Sequence, residues 1–134
     1  MLKAFRCFKQ LQTSLFFSHT SVNKICFSPE EALSGLKSGH KVLFGGFGVC
    51  GIPENLIRFI STSHVKDIWC FSNTSGMEFF GLGLLLKAKK IKRFTASYVG
   101  ENKEFEHQYL TGELAVEFCP QVSSFDQKNL IIVL

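Results

Sequence analysis

The chain has 134 residues, room for one domain with an appendage, and 15 basic against 11 acidic side chains. All of the excess is at the start: residues 1–29 carry Lys3, Arg6, Lys9 and Lys24 and no acid, so the body is neutral. A neutral body excludes a nucleic-acid surface, which needs a basic patch on the folded part. No apolar run approaches the ~20 residues of a membrane-spanning helix. Five cysteines, odd in number and without C-x-x-C spacing, argue for buried thiols in a reducing compartment, with neither disulfide framework nor zinc site.

Residues 1–27 read as an import segment of the mitochondrial type, implying a matrix location. They combine basic residues with Thr13, Ser14, Ser18, Thr20 and Ser21, and helical spacing puts Leu2, Phe5, Phe8, Leu15 and Phe16 on one side. Ser28-Pro29-Glu30-Glu31 has the form of a capping box opening a short helix through Leu36. Lys41 to Phe44 is a short apolar strand, and Gly45-Gly46-Phe47-Gly48-Val49-Cys50-Gly51-Ile52-Pro53 follows it directly. Glycines turn the chain where φ is positive or backbones approach closely, and proline then opens a helix running to about Ser61. A strand–glycine–helix junction presents free N–H groups and suits anion or oxyanion chemistry.

The pattern then repeats its alternation. Asp67 to Ser72 is a strand, roughly Met77 to Lys90 a long helix, and Ile91 to Val99 a third strand. Gly81 and Gly83 inside the long helix signal close packing, because each costs about 1 kcal/mol against alanine. Gly100-Glu101-Asn102 opens a helix through Leu110, and Leu114 to Cys119 is a fourth strand. Strands alternating with helices predict an α/β fold with a parallel sheet. Leu130 to Leu134 reads as a last strand or as a chain stopping mid-fold. No internal repeat is visible.

Gly46-x-Gly48-x-x-Gly51 formally satisfies the dinucleotide fingerprint. That motif also needs an acid ending the second strand, where this chain has Asn73. Cys50 beside a helix start could be a nucleophile, but it has no locally placed histidine and reads as a packed loop thiol. The four histidines are scattered without metal-ligand spacing. Lys87, Lys89, Lys90, Lys92 and Arg93 read as a solvated helix end, and Phe79, Phe80, Leu84 and Leu85 as core.

Gly39-His40-Lys41-Val42-Leu43-Phe44-Gly45-Gly46-Phe47 with Gly51-Ile52-Pro53 resembles the first signature of the 3-oxoacid coenzyme A transferases. The resemblance continues through Pro53-Glu54-Asn55-Leu56-Ile57, Phe80 to Leu86, Ile91-Lys92-Arg93, Ser97 to Asn102 and Gln108 to Leu114. It covers about residues 28–121, leaving 122–134 as a divergent tail. Ser38 stands where the signature prefers Asp or Asn.

The resemblance implies a three-layer parallel-sheet domain. It also implies transfer of coenzyme A between an acyl-CoA such as succinyl-CoA and a 3-oxoacid, in a homodimer, with no cofactor or metal. A family glutamate attacks the thioester, and preorganised donors hold the oxyanions that follow, commonly a few kcal/mol per donor. Asn73 and Gln121 match polar active-site positions, with Gln121 placed to assist the oxyanion. Thr74 stands where a second asparagine is usual. Gly45, Gly46, Phe47, Gly48 and Gly51 match the substrate loop. The family's Ser-Glu-Asn-Gly nucleophile motif is absent, and Glu101-Asn102 is only its look-alike. The sequence therefore reads as an N-terminal part that lacks turnover by itself.

Overall fold

The computed structural model describes residues 25–120 and the backbone of Ile132–Val133. The import-type segment up to residue 24 and Gln121 lie outside the described residues. The element order is α1 (Pro29–Ala32), β1 (Lys41–Leu43), α2 (Glu54–Thr62), β2 (Ile68–Thr74), α3 (Leu82–Lys87), β3 (Ile91–Tyr98), α4 (Lys103–Leu110), β4 (Ala115–Phe118) and β5 (Ile132–Val133). The strands form one sheet in the order β4-β3-β2-β1-β5, and every pairing is parallel. The chain thus steps outward from β1 to β4 and then sets β5 on the other side of β1. Open α/β sheets bind ligands beyond their strand ends at such a reversal, and the loop leaving β1 is the glycine loop.

Alternation along the strands sorts the faces. Val42, Cys70, Phe94 and Ala96 join Ile57 and Ile60 of α2, Leu82, Leu85 and Leu86 of α3, and Phe105 of α4 in one buried cluster. Phe94 and Phe105 meet edge-to-face at 5.2 Å. The opposite face carries Trp69 and Phe71, stacked at 5.1 Å, and Trp69 Nε1 donates to Thr95 Oγ1 at 2.9 Å. The capping box is realised, since Ser28 Oγ accepts from Glu31 N and Glu31 Oε2 accepts from Phe27 N. The helix it opens ends at Ala32, well short of Leu36.

Three expectations give way to tertiary context. The long helix begins at Leu82, not Met77. Gly76 and Gly81 hold φ of 70° and 59°, outside the helical region, so residues 76–81 form a loop. Gly83 does pack closely, because a Cβ there would lie 1.7 Å from the Met77 carbonyl oxygen. The basic cluster is not one solvated face. Lys90 is buried and its Nζ donates to the Ser63 carbonyl, Lys89 pairs with Glu113, and Arg93 lies 4.4 Å from the Trp69 ring. Phe79 is exposed rather than core.

Candidate functional site

The site is built from two loops of the same design. After β1, Gly46 and Gly51 take φ of 114° and 68°, and between them Phe47 and Cys50 exchange backbone hydrogen bonds of 2.9 and 3.0 Å. After β2, Gly76 and Gly81 occupy the equivalent places five residues apart, and Met77 and Phe80 form the matching bridge. Each loop exposes its second and fourth residues, Phe47 and Val49 in one and Met77 and Phe79 in the other. This repeat was invisible in the sequence, because only the terminal glycines are shared. The bridge also uses the Cys50 backbone while leaving the residue exposed, so Cys50 is not the packed thiol that the sequence implied.

The loops and strand ends border an open cavity of about 490 Å³, lined by Gly48, Val49, Thr74, Gly76, Met77, Glu78, Tyr98, Gly100, Glu101 and Lys103. A recess of about 10 Å³, the size for one water, lies between Gly46, Ile52, Ser72 and Gly81. Of the residues singled out from sequence, Gly48 and Thr74 line the cavity and Gly46 the recess. Thr74 Oγ1 accepts from Gly76 N at 3.4 Å, which ties the end of β2 to the second loop. Gly45, Phe47 and Gly51 are exposed on the first loop.

Asn73 is not brought to the cavity. It falls on the side of β2 that carries Trp69 and Phe71, whereas Thr74 falls on the helix side. Its carboxamide makes no hydrogen bond among the described residues. Beside it on β3, between the Ser72–Ala96 and Thr74–Tyr98 register pairs, the Ser97 hydroxyl is buried without a partner. Glu101 sits at the cavity edge, and its neighbour Asn102 is structural. Asn102 Oδ1 accepts from Phe105 N at 3.1 Å, and Asn102 Nδ2 donates to the Ser75 carbonyl at 3.3 Å. Sequence reasoning passed over Tyr98, Glu78 and Lys103. Tyr98 could have been found as the last residue of a parallel strand and Lys103 as the first residue of the helix that Asn102 caps, but Glu78 arrives through loop geometry that no periodicity encodes. Among the described residues, no three His, Cys, Asp or Glu side chains gather as a metal site.

A cavity at the carboxyl ends of parallel strands, walled by glycine loops, defines a ligand-binding α/β domain. Residues 27–127 match the coenzyme A transferase family model, and the chain belongs to that family. It is 52% identical over 100 residues to a succinyl-CoA:3-ketoacid coenzyme A transferase subunit of Helicobacter pylori, covering 75% of this chain and 43% of that one. It is 49% identical over 98 residues to the human mitochondrial succinyl-CoA:3-ketoacid coenzyme A transferase 2, covering 73% of this chain and 19% of the relative. The chain thus spans less than half the length of these curated relatives. An acyl-CoA transferase from E. coli O157:H7, solved as a thioester complex with CoA, superposes with a TM-score of 0.61 at 15% identity, covering 71% of this chain and 21% of that one. A decarboxylase, AibA/AibB, shares the fold at a TM-score of 0.56 and 18% identity, over 66% of this chain and 36% of that one. Fold alone therefore does not choose the reaction.

Proposed function

We propose that this chain forms one wall of an acyl-transfer site that moves coenzyme A between succinyl-CoA and a 3-oxoacid such as acetoacetate. The observation that carries this reading is the cavity at the carboxyl ends of β2 and β3, walled by the family's glycine loop. Backbone N–H groups and the Thr74 hydroxyl offer donors to a carbonyl oxygen there without reorganisation. Gln121 supplies an amide from another part of the site. The attacking glutamate comes from a polypeptide segment beyond this sequence, the coenzyme A thioester is substrate and no bound cofactor takes part. The import-type first segment directs the chain to the mitochondrial matrix, where the full-length transferase acts as a homodimer.

The test is covalent trapping. Incubation of the chain with succinyl-CoA followed by borohydride or hydroxylamine should leave no adduct on it, because the nucleophile is elsewhere. An enzyme–CoA thioester trapped on this chain contradicts the assignment. A second reading, a non-catalytic module that pairs with a full-length transferase, draws support from the bacterial relatives, which are named as transferase subunits. Co-purification with a full-length transferase in the absence of any trapped intermediate would favour it.

A further inference from the structure

Four exposed apolar side chains stand on the two glycine loops, Phe47 and Val49 on the first and Met77 and Phe79 on the second. Of these, Val49 and Met77 line the cavity at the strand ends. Met77 is the one whose polarity ordinary redox chemistry changes. Methionine usually fills irregular gaps in apolar interiors, yet this one is 61% exposed. The loop does not fold it inward. The Met77 carbonyl accepts from Phe80 N at 3.3 Å, and it packs so close to Gly83 that no Cβ fits between them. The backbone of the residue is thereby fixed, with its thioether in the cavity wall and open to solvent.

Oxidation converts a flexible apolar thioether into a polar, chiral sulfoxide, and reductases reverse it. We propose that Met77 is an oxidation site for hydrogen peroxide, and that its sulfoxide lowers the affinity of the cavity for an acyl-CoA ligand. In the step, a lone pair of the Met77 sulfur attacks one peroxide oxygen, so that an S–O bond forms as the O–O bond breaks. The hydroxide released takes the proton from the transferred oxygen and leaves as water. Sulfur is oxidised by two electrons and the peroxide is reduced by two. The product sets an acceptor-only oxygen in a part of the wall that was apolar. Glu78 and Glu101 already bring carboxylates to the lining, and Thr74, Tyr98 and Lys103 carry its side-chain donors. A ligand whose thioester and carboxylate oxygens need donors therefore meets one more acceptor. The oxidation itself stands on exposure alone; its effect on the ligand rests on the transferase reading.

Cyanogen bromide cleaves after methionine but not after its sulfoxide. Met1 and Met77 are the two methionines of the chain, so loss of the two large fragments reports Met77 alone. Under hydrogen peroxide that cleavage should disappear in the folded full chain within about threefold of its rate in urea. A slower folded rate overturns the site. Titration calorimetry with a non-hydrolysable succinyl-CoA analogue should then show binding weakened about fivefold or more by oxidation. Cys26 and Cys50 are exposed and react as well. Dithiothreitol, which returns disulfides and sulfenic acids to thiols, should not restore binding; methionine sulfoxide reductases for both epimers should. Met77→Leu should have one affinity before and after peroxide. Met77→Gln, with a polar amide in place of the thioether, should bind more weakly with no oxidant present. Binding unchanged by oxidation, recovery with dithiothreitol alone, or peroxide sensitivity that persists in Met77→Leu overturns the proposal and leaves the transferase reading intact. Failure of the analogue to bind the untreated chain overturns the effect on the ligand together with that reading.

Discussion

Ile52 and Gly81 interlock the two glycine loops: Ile52 Cδ1 lies 2.7 Å from where a Cβ on Gly81 would stand. The same side chain puts its Cγ2 2.6 Å from the Cβ position of Gly46. One isoleucine, half-buried at the end of the first loop, thereby fills the seam from which both loops spring. Gly46→Ala should destabilise the fold by about 2 kcal/mol, combining backbone strain at φ 114° with contact against Ile52 and the Cys50 carbonyl. Ile52→Ala should cost about 1–2 kcal/mol, below the full-burial range because the site is partly open. Urea unfolding of both against Gly35→Ala, which meets nothing within 4 Å, checks the order.

Gly83 should be less replaceable still. In an ordinary helix position alanine would gain about 1 kcal/mol over glycine. Here an added methyl would overlap the Met77 carbonyl oxygen, a backbone atom of the second loop that cannot rotate away. Gly83→Ala should lose about 2–4 kcal/mol and, by pushing the loop outward, alter the cavity wall at Met77 and Glu78. A melting temperature equal to that of the unsubstituted chain would contradict this.

Trp69 should report on the other face of the sheet. It is the single tryptophan, stacked on Phe71, with Lys41 Nζ 4.3 Å and Arg93 4.4 Å from its ring. Trp69→Phe leaves the buried Thr95 hydroxyl unpaired, for a loss of about 1–3 kcal/mol. Arg93→Ala removes one cation from the ring and should cost about 0.5–1 kcal/mol. Denaturant unfolding, followed by circular dichroism because the first variant lacks the fluorophore, measures both.

The parts legible in the sequence were those where local chemistry and tertiary structure agree. The apolar run before Gly45, the glycines themselves and Pro53 all say strand, turn and helix, and the chain does this. Met77-Glu78-Phe79-Phe80 carries helix-compatible residues and continues a helical spacing into Leu82, so its loop was hidden. What overrides it is the positive φ of Gly76 and Gly81 together with packing that periodicity does not report: Ile52 of the first loop fills the space over Gly81, and Gly83 packs against the Met77 carbonyl. The same limit applies to Asn73 and Thr74. Their adjacency reads as a pair, but strand alternation sends them to opposite faces, and only the buried cluster says which face belongs to which. The basic run misled for a similar reason, since burial of Lys90 depends on the Ser63 carbonyl 27 residues away.

Thiol chemistry separates the cysteines. Burial pushes the Cys70 thiol well above the usual range, whereas Cys26 and Cys50 are exposed. Ellman's reagent should label Cys26 and Cys50 quickly and Cys70 only on unfolding. Because the folded state keeps the Cys70 proton that the unfolded state releases above about pH 8.5, stability should fall as pH rises beyond that value. On the acid side, Glu104 is held below the usual carboxylate range, mainly by the hydrogen bond from Gln108 and then by Lys89. Its contribution is present above the unfolded carboxylate value and is lost as pH falls through the folded one. That side chain is 34% exposed, so solvent screens it and the acid limb should be shallow.

Function turns on whether the cavity between the two glycine loops receives a coenzyme A thioester. Chemical-shift mapping of the full, isotopically labelled chain with a non-hydrolysable succinyl-CoA analogue decides this. Saturable shifts are expected at Gly46 to Gly51, at Thr74 to Phe79 and at Tyr98 to Lys103, with residues at the amino ends of the strands, such as His40 and Asp67, unmoved. Shifts confined to those amino ends, or none at any concentration of analogue, would contradict it.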